Sequence, residues 1–161
     1  MADLQWRWAR LGELQAEDLY DALMLRSWVF VVEQHCVYLD ADGVDRQAWH
    51  LLGRGAPQGA GPGPMRAVLR VVDPGVKYDE PSIGRVVTAP EARGTGLGLV
   101  LMREGLARCR SVWPGRAVRI SAQAHLQRFY GTLGFQPVGE AYLEDGIPHV
   151  EMLCPAGDPP R

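Results

Sequence analysis

A glycine-rich turn between a predicted strand and a predicted helix limits the possible folds of this chain more than any other segment. The strand covers Ser82–Thr88, and Arg-Gly-Thr-Gly-Leu-Gly at 93–98 opens the helix. The first amides of a helix have no partner within it and favour an anion, and glycines let a ligand approach the backbone. With the positive charge of Arg93 added, the turn predicts a binding site for a diphosphate group.

Three interpretations of this turn compete. A nucleotide-binding P-loop ends in Gly-Lys-Ser or Gly-Lys-Thr, whereas Leu99 follows Gly98 here, so ATP or GTP hydrolysis is excluded. A dinucleotide fingerprint needs a third glycine at position 99 and an acidic residue about 20 residues further on, and neither is present. The remaining interpretation is structural, because glycines alone also let a helix start pack tightly against a strand.

The rest of the chain alternates predicted strands and helices, with a loop rich in glycine and proline at 53–64 and a hairpin turn at 144–148. The order predicts one α+β domain over 1–154 with a mixed sheet, followed by a flexible C-terminal tail at 155–161. The predicted strands are 4–9, 49–52, 65–72, Ser82–Thr88, 118–122, 136–143 and 149–154, and the predicted helices are 14–31, 96–113 and 126–134.

Composition excludes several classes of protein. The 161 residues include 17 Lys plus Arg and 19 Asp plus Glu, a formal charge of −2, whereas nucleic-acid-binding domains usually carry a strongly basic surface. Apolar runs fall short of the ~18 residues that span a membrane. The first residues lack the features of a secretory signal. We therefore expect a cytoplasmic protein without membrane or nucleic-acid partners. Three widely spaced cysteines predict neither disulfides nor a metal site, and we expect no metal.

The glycine turn and a second motif together resemble those of a known family. The pattern Arg-x-x-Gly-x-Gly at 93–98 and Phe-Tyr-Gly-Thr-Leu-Gly-Phe at 129–135 resemble motifs of the GNAT superfamily of N-acetyltransferases. The segments 25–34, 122–127 and 144–149 resemble the ElaA group of that superfamily, along nearly the whole chain. The resemblance implies the GNAT fold, which is α+β with a mixed, mostly antiparallel sheet flanked by helices. The enlarged glycine- and proline-rich loop is the main departure.

This resemblance implies transfer of an acetyl group from acetyl-CoA to an amine by direct attack within a ternary complex. The amides of the glycine turn, with Arg93, would bind the pyrophosphate. The backbone of the preceding strand would hold the pantetheine arm and polarise the thioester carbonyl, where loss of one donor typically costs about 3 kcal/mol of transition-state stabilisation. The residues implied in cofactor binding are Val86, Val87, Thr88, Arg93, Gly94, Thr95, Gly96, Leu97, Gly98 and Gln123.

Three residues are implied in catalysis. Tyr130 matches the general acid of the family, which protonates the departing thiolate, although its spacing also fits the apolar face of its helix. Glu33 follows the first helix, where the family borders its acceptor cleft, and is the first candidate to bind or deprotonate the amine. His125, beside Gln123, is the second candidate base.

An arginine and an acidic segment predict the acceptor side. Arg26 shares a helical face with Phe30, so its guanidinium needs a partner, and we expect a pair with an acid of the following loop. The segment 33–45 holds four acids and no Lys or Arg, whereas 93–119 holds six arginines and one acid, which suggests an acidic amine side and a basic cofactor side. The implied acceptor-binding residues are Arg26, Phe30, Glu33 and Asp45.

Two other functions stay open. A CoA-binding module without turnover could act as a sensor or interaction domain. Acyl-homoserine-lactone synthases share the fold and a similar N-terminal pattern of Arg, Phe and Glu. The acceptor amine is a small molecule or a peptide, which the sequence does not distinguish, and the C-terminal hairpin could pair across a homodimer.

Overall fold

Residues 3–157 are described by the structure, a computed structural model, and their strands form one mixed sheet. This confirms the predicted α+β class; residues 158–161 of the predicted tail lie outside the described residues. The strands are β1 (Gln5–Arg10), β2 (Trp49–Arg54), β3 (Met65–Val72), β4 (Ser82–Thr88), β5 (Val118–Gln123), β6 (Gln136–Pro137), β7 (Tyr142–Glu144) and β8 (Ile147–Cys154). The α-helices are α1 (Ala16–Arg26), α2 (Leu97–Val112) and α3 (Gln127–Gly131), and a π-helical segment, Ser27–Glu33, continues α1.

Two neighbouring strands in the middle of the sheet diverge. The order across the sheet is β1-β2-β3-β4-β5-β8, and β8 also pairs with β6 and β7. The described strand pairs are antiparallel except β4 and β5, which are parallel and connected through α2. They meet at one register position, Ser82 opposite Arg119. Within the described residues, β4 has no strand partner on that side from Ile83 to Thr88, so a gap opens in the sheet.

Helices cover both faces of the sheet around β3, which explains why this strand is apolar along most of its length. Leu69 packs in one buried cluster with Leu101 of α2, and Val68 packs in a second cluster with Leu25 of α1. A Cβ at Gly105 would lie 2.8 Å from the side chain of Leu69, so the glycine lets α2 lie close to the sheet. This packing fixes the start of α2 beside the gap.

The helix predicted at 14–31 is divided in two. α1 ends at Arg26, and the π-helical segment follows it. The amide of Gln34 bonds to the carbonyl of Val29, five residues back, at 3.3 Å. Turns of this kind are rare and occur frequently at functional sites. A periodicity of 3.6 residues does not predict the wider turn.

The hairpin turn predicted at 144–148 is shorter than expected. It consists of Asp145 and Gly146, with φ of 50° and 77°, the two positive values that a tight type I′ turn requires. Glu144 therefore belongs to β7 and pairs with Ile147 of β8. Glu144 thus lies on a regular strand, next to β8.

Candidate active site

The glycine turn begins α2 next to the wide end of the gap. Gly94 and Gly96 have φ of 76° and 82°, a conformation that residues with side chains rarely adopt. A Cβ at either position would meet no atom within 4 Å, so the space around the turn is open. Thr95 donates a hydrogen bond from its hydroxyl to the carbonyl of Ala92 at 2.6 Å, which fixes the turn. An open helix start of this kind can hold a phosphate against backbone amides.

β4 carries a bulge beside the gap. Val68 pairs with Val87 and Arg70 with Gly84, so β4 has one residue more than β3 between these pairs. Arg85 lies in the bulge with φ of 52°, which is uncommon for a residue with a side chain. Rarely populated backbone conformations cluster at functional sites.

A cavity of about 430 Å³ occupies the gap between β4 and β5. Four of the residues predicted for the site line it, and they are Phe30, Val86, Gln123 and Tyr130. Polar side chains that were not among the predicted site residues also line it, and they include Asp42, Arg70, Arg85, Glu144 and His149.

Tyr130 lines this cavity and is also packed into the core. Its ring lies edge-on to Phe129 and Phe135, at centroid distances of 5.1 and 6.0 Å. Burial raises the pKa of Tyr130 to about 12, so the phenol keeps its proton at neutral pH. From this one position, Tyr130 can both pack in the core and serve as a general acid.

The two predicted bases lie outside the cavity lining. Glu33 ends the π-helical segment, and its carboxylate accepts a hydrogen bond from Arg93 Nη2 at 2.6 Å. His125 is exposed in a single 3-10 turn after β5. Glu33 therefore contacts the arginine predicted to bind pyrophosphate rather than the acceptor cavity.

Six charged side chains form a closed ring at one side of the cavity, which we call the Arg–Asp ring. Each arginine lies beside two aspartates, and each aspartate beside two arginines, with N–O distances of 2.8 to 3.3 Å. The ring joins the end of α1, the loop before β2, β3 and β4. Its members in order are Arg26, Asp40, Arg85, Asp42, Arg70 and Asp45.

The predicted pairing of Arg26 with a loop acid is present and involves two acids, Asp40 and Asp45. Arg26 is only 1% exposed and Asp45 only 7%, and neither lines the cavity. The expected direct contact of these two residues with the acceptor is therefore not supported. Asp45 pairs with Arg70, which lines the cavity, whereas both ring neighbours of Arg26, Asp40 and Asp45, lie outside the lining.

The Arg–Asp ring removes the acidic character predicted for 33–45. A hydrogen bond from Arg70 holds the pKa of Asp42 well below its usual range. Burial opposes ionisation of Asp45, but the hydrogen bonds and charges of Arg26 and Arg70 outweigh burial and lower the pKa of Asp45. The inference of an acidic surface for a cationic amine is wrong, because arginines distant in sequence neutralise the acids of the segment.

The hairpin of β7 and β8 brings a carboxylate and an imidazole into the cavity. Because Tyr142 lies opposite His149, and Glu144 opposite Ile147, the side chains of Glu144 and His149 share one face. His149 Nε2 lies 3.3 Å from Glu144 Oε2. The dipeptide Asp145-Gly146 is a strong signal for a two-residue hairpin turn and could have revealed this pair from the sequence.

Two structural findings concern other classes of site. Within residues 3–157, no helix is both long and apolar enough to cross a membrane. In the same part of the chain, His, Cys, Asp and Glu side chains form no group of three or more that could hold a metal ion.

Parallel strands that diverge beside a glycine-rich helix start, with a cavity between them, define a protein of the acyl-CoA N-acyltransferase fold. An acyl-CoA N-acyltransferase from Pseudomonas aeruginosa has a TM-score of 0.85 to this chain and is 42% identical, over 94% of this chain and 99% of that one. The structure of Escherichia coli ElaA has a TM-score of 0.83 at 38% identity, with the same coverage of 94% and 99%.

Sequence comparison agrees with the fold. A family model described as an acetyltransferase (GNAT) domain matches residues 73–155. A UPF0039 protein of Synechocystis sp. is 41% identical, over 94% of this chain and 95% of its own length. Escherichia coli ElaA is 40% identical, over 92% and 95%. The chain therefore belongs to the GNAT acetyltransferase family, and the interpretation of its motifs as GNAT and ElaA-like is confirmed.

Proposed function

We propose that this protein is an N-acetyltransferase that moves the acetyl group of acetyl-CoA to an amine by direct attack within a ternary complex. One observation carries the proposal: β4 and β5 diverge around a polar cavity that Tyr130 lines, and an open glycine turn follows β4. Membership of the GNAT family supports acyl transfer from an acyl-CoA.

On the donor side, the chain offers groups that match acetyl-CoA. The amides of Gly94 to Gly98, with Arg93, would hold the pyrophosphate. Thr95 and Leu97 would act through their backbone, since the hydroxyl of Thr95 is bonded within the turn and the side chain of Leu97 is buried.

The backbone of β4 would hold the pantetheine arm. Among residues 3–157, no strand pairs with Val86, Val87 and Thr88 on the side of the gap. When bound, acetyl-CoA supplies an acetyl group activated as a thioester. A backbone N–H of β4 would donate to the thioester carbonyl oxygen, where negative charge develops during attack. Gln123 of β5 lines the opposite side of the cavity and would contact the same arm.

Tyr130 would give its proton to the sulfur as the carbon–sulfur bond breaks. Its phenol remains protonated at neutral pH because burial raises the pKa to about 12. A phenol in this state is an acid and cannot serve as the base for the amine.

The acceptor would be a small amine or the amine of a peptide that enters the cavity beside Phe30. Because the Arg–Asp ring is internally balanced, we expect recognition by Lys77, Glu144 and Asp145, which also line the cavity. A cytoplasmic location, the absence of a metal and a homodimer stay predictions.

A thermal unfolding titration with acetyl-CoA tests the donor site. A ligand at 100 times its Kd adds about 2.7 kcal/mol. That gain corresponds to a rise in Tm of roughly 5–11 °C for a domain of this size. Gly96→Leu should abolish the rise. Gly115→Leu is the matched control, since Gly115 also has positive φ, 76°, and open space around it, at the other end of α2. A wild-type Tm that acetyl-CoA does not change would contradict the proposal.

Release of CoA thiol from acetyl-CoA in the presence of a panel of amines tests turnover. Amine-dependent release, with the acetylated amine detected by mass spectrometry, is the expected result. Binding of acetyl-CoA without amine-dependent release would favour the CoA-binding module. Release that occurs only with a lactone-forming amine, together with an acylated lactone as product, would favour the lactone-synthase alternative.

A further inference from the structure

The proposed transfer needs a group that takes a proton from the acceptor, because an ammonium ion has no lone pair with which to attack. Three carboxylates line the cavity. Asp42 is held by Arg70 within the Arg–Asp ring, and Asp145 is exposed in the hairpin turn. The third, Glu144, is paired with His149.

The contacts of His149 determine which of its ring nitrogens carries the proton. Nδ1 lies 2.7 Å from the carbonyl oxygen of Ile147, and because a carbonyl only accepts, Nδ1 must donate. In the neutral ring, Nε2 then carries a lone pair, which faces Glu144 Oε2 at 3.3 Å. These two atoms are both hydrogen-bond acceptors, so they form no hydrogen bond without a proton between them. Uptake of one proton converts this contact into a charge-assisted hydrogen bond.

Neutral side chains hold the pair in place. The ring of Tyr142 stacks on His149 with centroids 6.2 Å apart, and its hydroxyl hydrogen-bonds to Ser121 of β5. Ser121 Oγ also lies 3.5 Å from Glu144 Oε2, and Gln123 is opposite His149 in the sheet. The other charged groups that line the cavity are Asp42, Arg70, Lys77, Arg85 and Asp145. Its remaining titratable groups are Cys36, Tyr38 and Tyr130.

We propose that the Glu144–His149 pair is the proton acceptor for the attacking amine, an inference that rests on the proposed acetyl transfer. An ammonium N–H directed at both Glu144 Oε2 and His149 Nε2 gives its proton to Nε2, and Glu144 positions the ring and stabilises the imidazolium. The amine nitrogen then forms a bond to the acetyl carbon while the carbon–sulfur bond breaks. Of the three ammonium protons, one stays on the amide and one passes through His149 to solvent. The third replaces the proton that Tyr130 gives to sulfur.

The protonated nitrogen of His149 can be measured without any acceptor. ¹⁵N-edited imidazole spectra at mildly alkaline pH distinguish a proton on Nδ1 from a proton on Nε2, and His149→Gln assigns the resonance. We expect the Nδ1–H form in the wild-type protein. The Nε2–H form would overturn the proposal, because Nε2 would then have no lone pair to accept a proton.

Two small nucleophiles test the role in transfer. Hydroxylamine is largely unprotonated at neutral pH and needs no base, whereas benzylamine is an ammonium ion. With acetyl-CoA as donor, His149→Gln should slow thiol release to benzylamine by about 10²–10⁴-fold, and release to hydroxylamine by less than about tenfold. The acidic limb of the pH–rate profile with benzylamine should move to higher pH, where benzylamine itself loses its proton. Glu144→Gln should cause a smaller but equally selective loss, because Glu144 acts through His149.

The failures of the two proposals are distinguishable. Equal losses with both nucleophiles, or a selective loss in His125→Gln instead of His149→Gln, would overturn the assignment of the base while acetyl transfer stands. Failure of the wild-type protein to use either nucleophile would contradict acetyl transfer, and with it the role of the pair in that reaction.

Discussion

Glu33 and Arg93 form an exposed ion pair beside the glycine turn. A phosphate bound at the turn would compete with Glu33 for this arginine and would be repelled by the carboxylate. We expect Glu33→Gln to tighten CoA binding by about 1.5- to 5-fold, which corresponds to the ~0.2–1 kcal/mol of exposed ion pairs. Calorimetric titration with CoA at low ionic strength measures this gain, and high salt should reduce it.

Glu17→Gln is the control for this change, since it removes an exposed carboxylate from the first turn of α1, at the end of the helix away from the π-helical segment. Its CoA affinity should equal that of the wild-type protein. The competing expectation, that Glu33 deprotonates the amine, gives the opposite pattern: unchanged CoA affinity with a large loss of turnover.

Tyr130→Phe separates the chemical role of the hydroxyl from the packing of the ring. The ring contacts with Phe129 and Phe135 remain in the variant, so the free energy of unfolding should change by less than about 1 kcal/mol. Turnover with an identified amine should fall by about 10²–10⁴-fold, because the departing sulfur loses its acid. Thiol release and urea unfolding measure the two effects. Unchanged turnover would refute the role as acid.

Among the structural elements, the end of α1, the loop before β2, β3 and β4 are held together by the Arg–Asp ring. Removing one member leaves buried charges without a partner, which costs about 3–5 kcal/mol. We expect a loss of this size in Arg26→Met, because Arg26 is buried and bonds to two aspartates. Urea unfolding at pH 7 measures it, and Asp45→Asn provides a milder test of the same ring.

Arg66→Met is the matched control for the ring. Arg66 pairs with Glu91 across an exposed surface at 2.9 Å, and exposed pairs contribute at most about 1 kcal/mol. If Arg26→Met unfolds at the same urea concentration as Arg66→Met, the ring does not hold these elements together.

Elements with a local pattern could be predicted from the sequence, and those that depend on distant residues could not. β4 and α2 follow from a β-rich run, a glycine turn and an apolar stripe, and their observed bounds agree closely with the prediction. The π-helical segment has the same apolar spacing as an α-helix, so nothing local marks its start at Ser27. The turn at 145–146 has a local signal, the dipeptide Asp145-Gly146, but the prediction extended the turn over 144–148.

In the candidate site, too, residues in a contiguous motif could be predicted, and residues that only the fold brings together could not. The glycine turn and Tyr130 were predicted because each lies in a contiguous motif. Arg70 and Arg85 carry no such signal, since their ring partner Asp42 lies 28 and 43 residues away in sequence. A charge count over 33–45 therefore predicted an acidic surface, although the fold supplies an arginine to each aspartate there.

At the scale of the whole molecule, the net charge of −2 is the near-cancellation of 17 basic and 19 acidic residues, and the fold pairs many of them. Buried and half-buried charges that the fold has paired make stability depend on pH, because their pKa values differ between the folded and unfolded chain. The groups in question are His50, Asp42 and Asp45. Their ordinary pKa values of 6.5 and 3.8 lie far apart, so the loss of stability begins at a different pH for His50 than for the two aspartates.

His50 defines the upper range. Burial lowers its pKa below 6.5, although the carbonyl of Asp45 accepts a hydrogen bond from its Nε2 at 3.0 Å and so opposes the shift; Arg26 and Arg70 add to the lowering. The unfolded chain therefore binds more protons as the pH falls below about 6.5. Stability is complete above that pH and declines below it, by at most about 1.4 kcal/mol per pH unit for one group.

Asp42 and Asp45 define the lower range. Their pKa values are lowered from 3.8 in the folded protein, so their contribution is complete above pH 4 to 5 and is lost as the pH falls through 3.8 and below. Urea unfolding free energies measured at half-unit steps from pH 7.5 to 2 should decline first below pH 6.5 and then more steeply below pH 4 to 5. His50→Gln should remove the first decline, and Asp42→Asn should weaken the second. Asp79→Asn, an exposed control outside the ring, should keep both, because the dependence arises from the paired groups and not from the acid content of the chain.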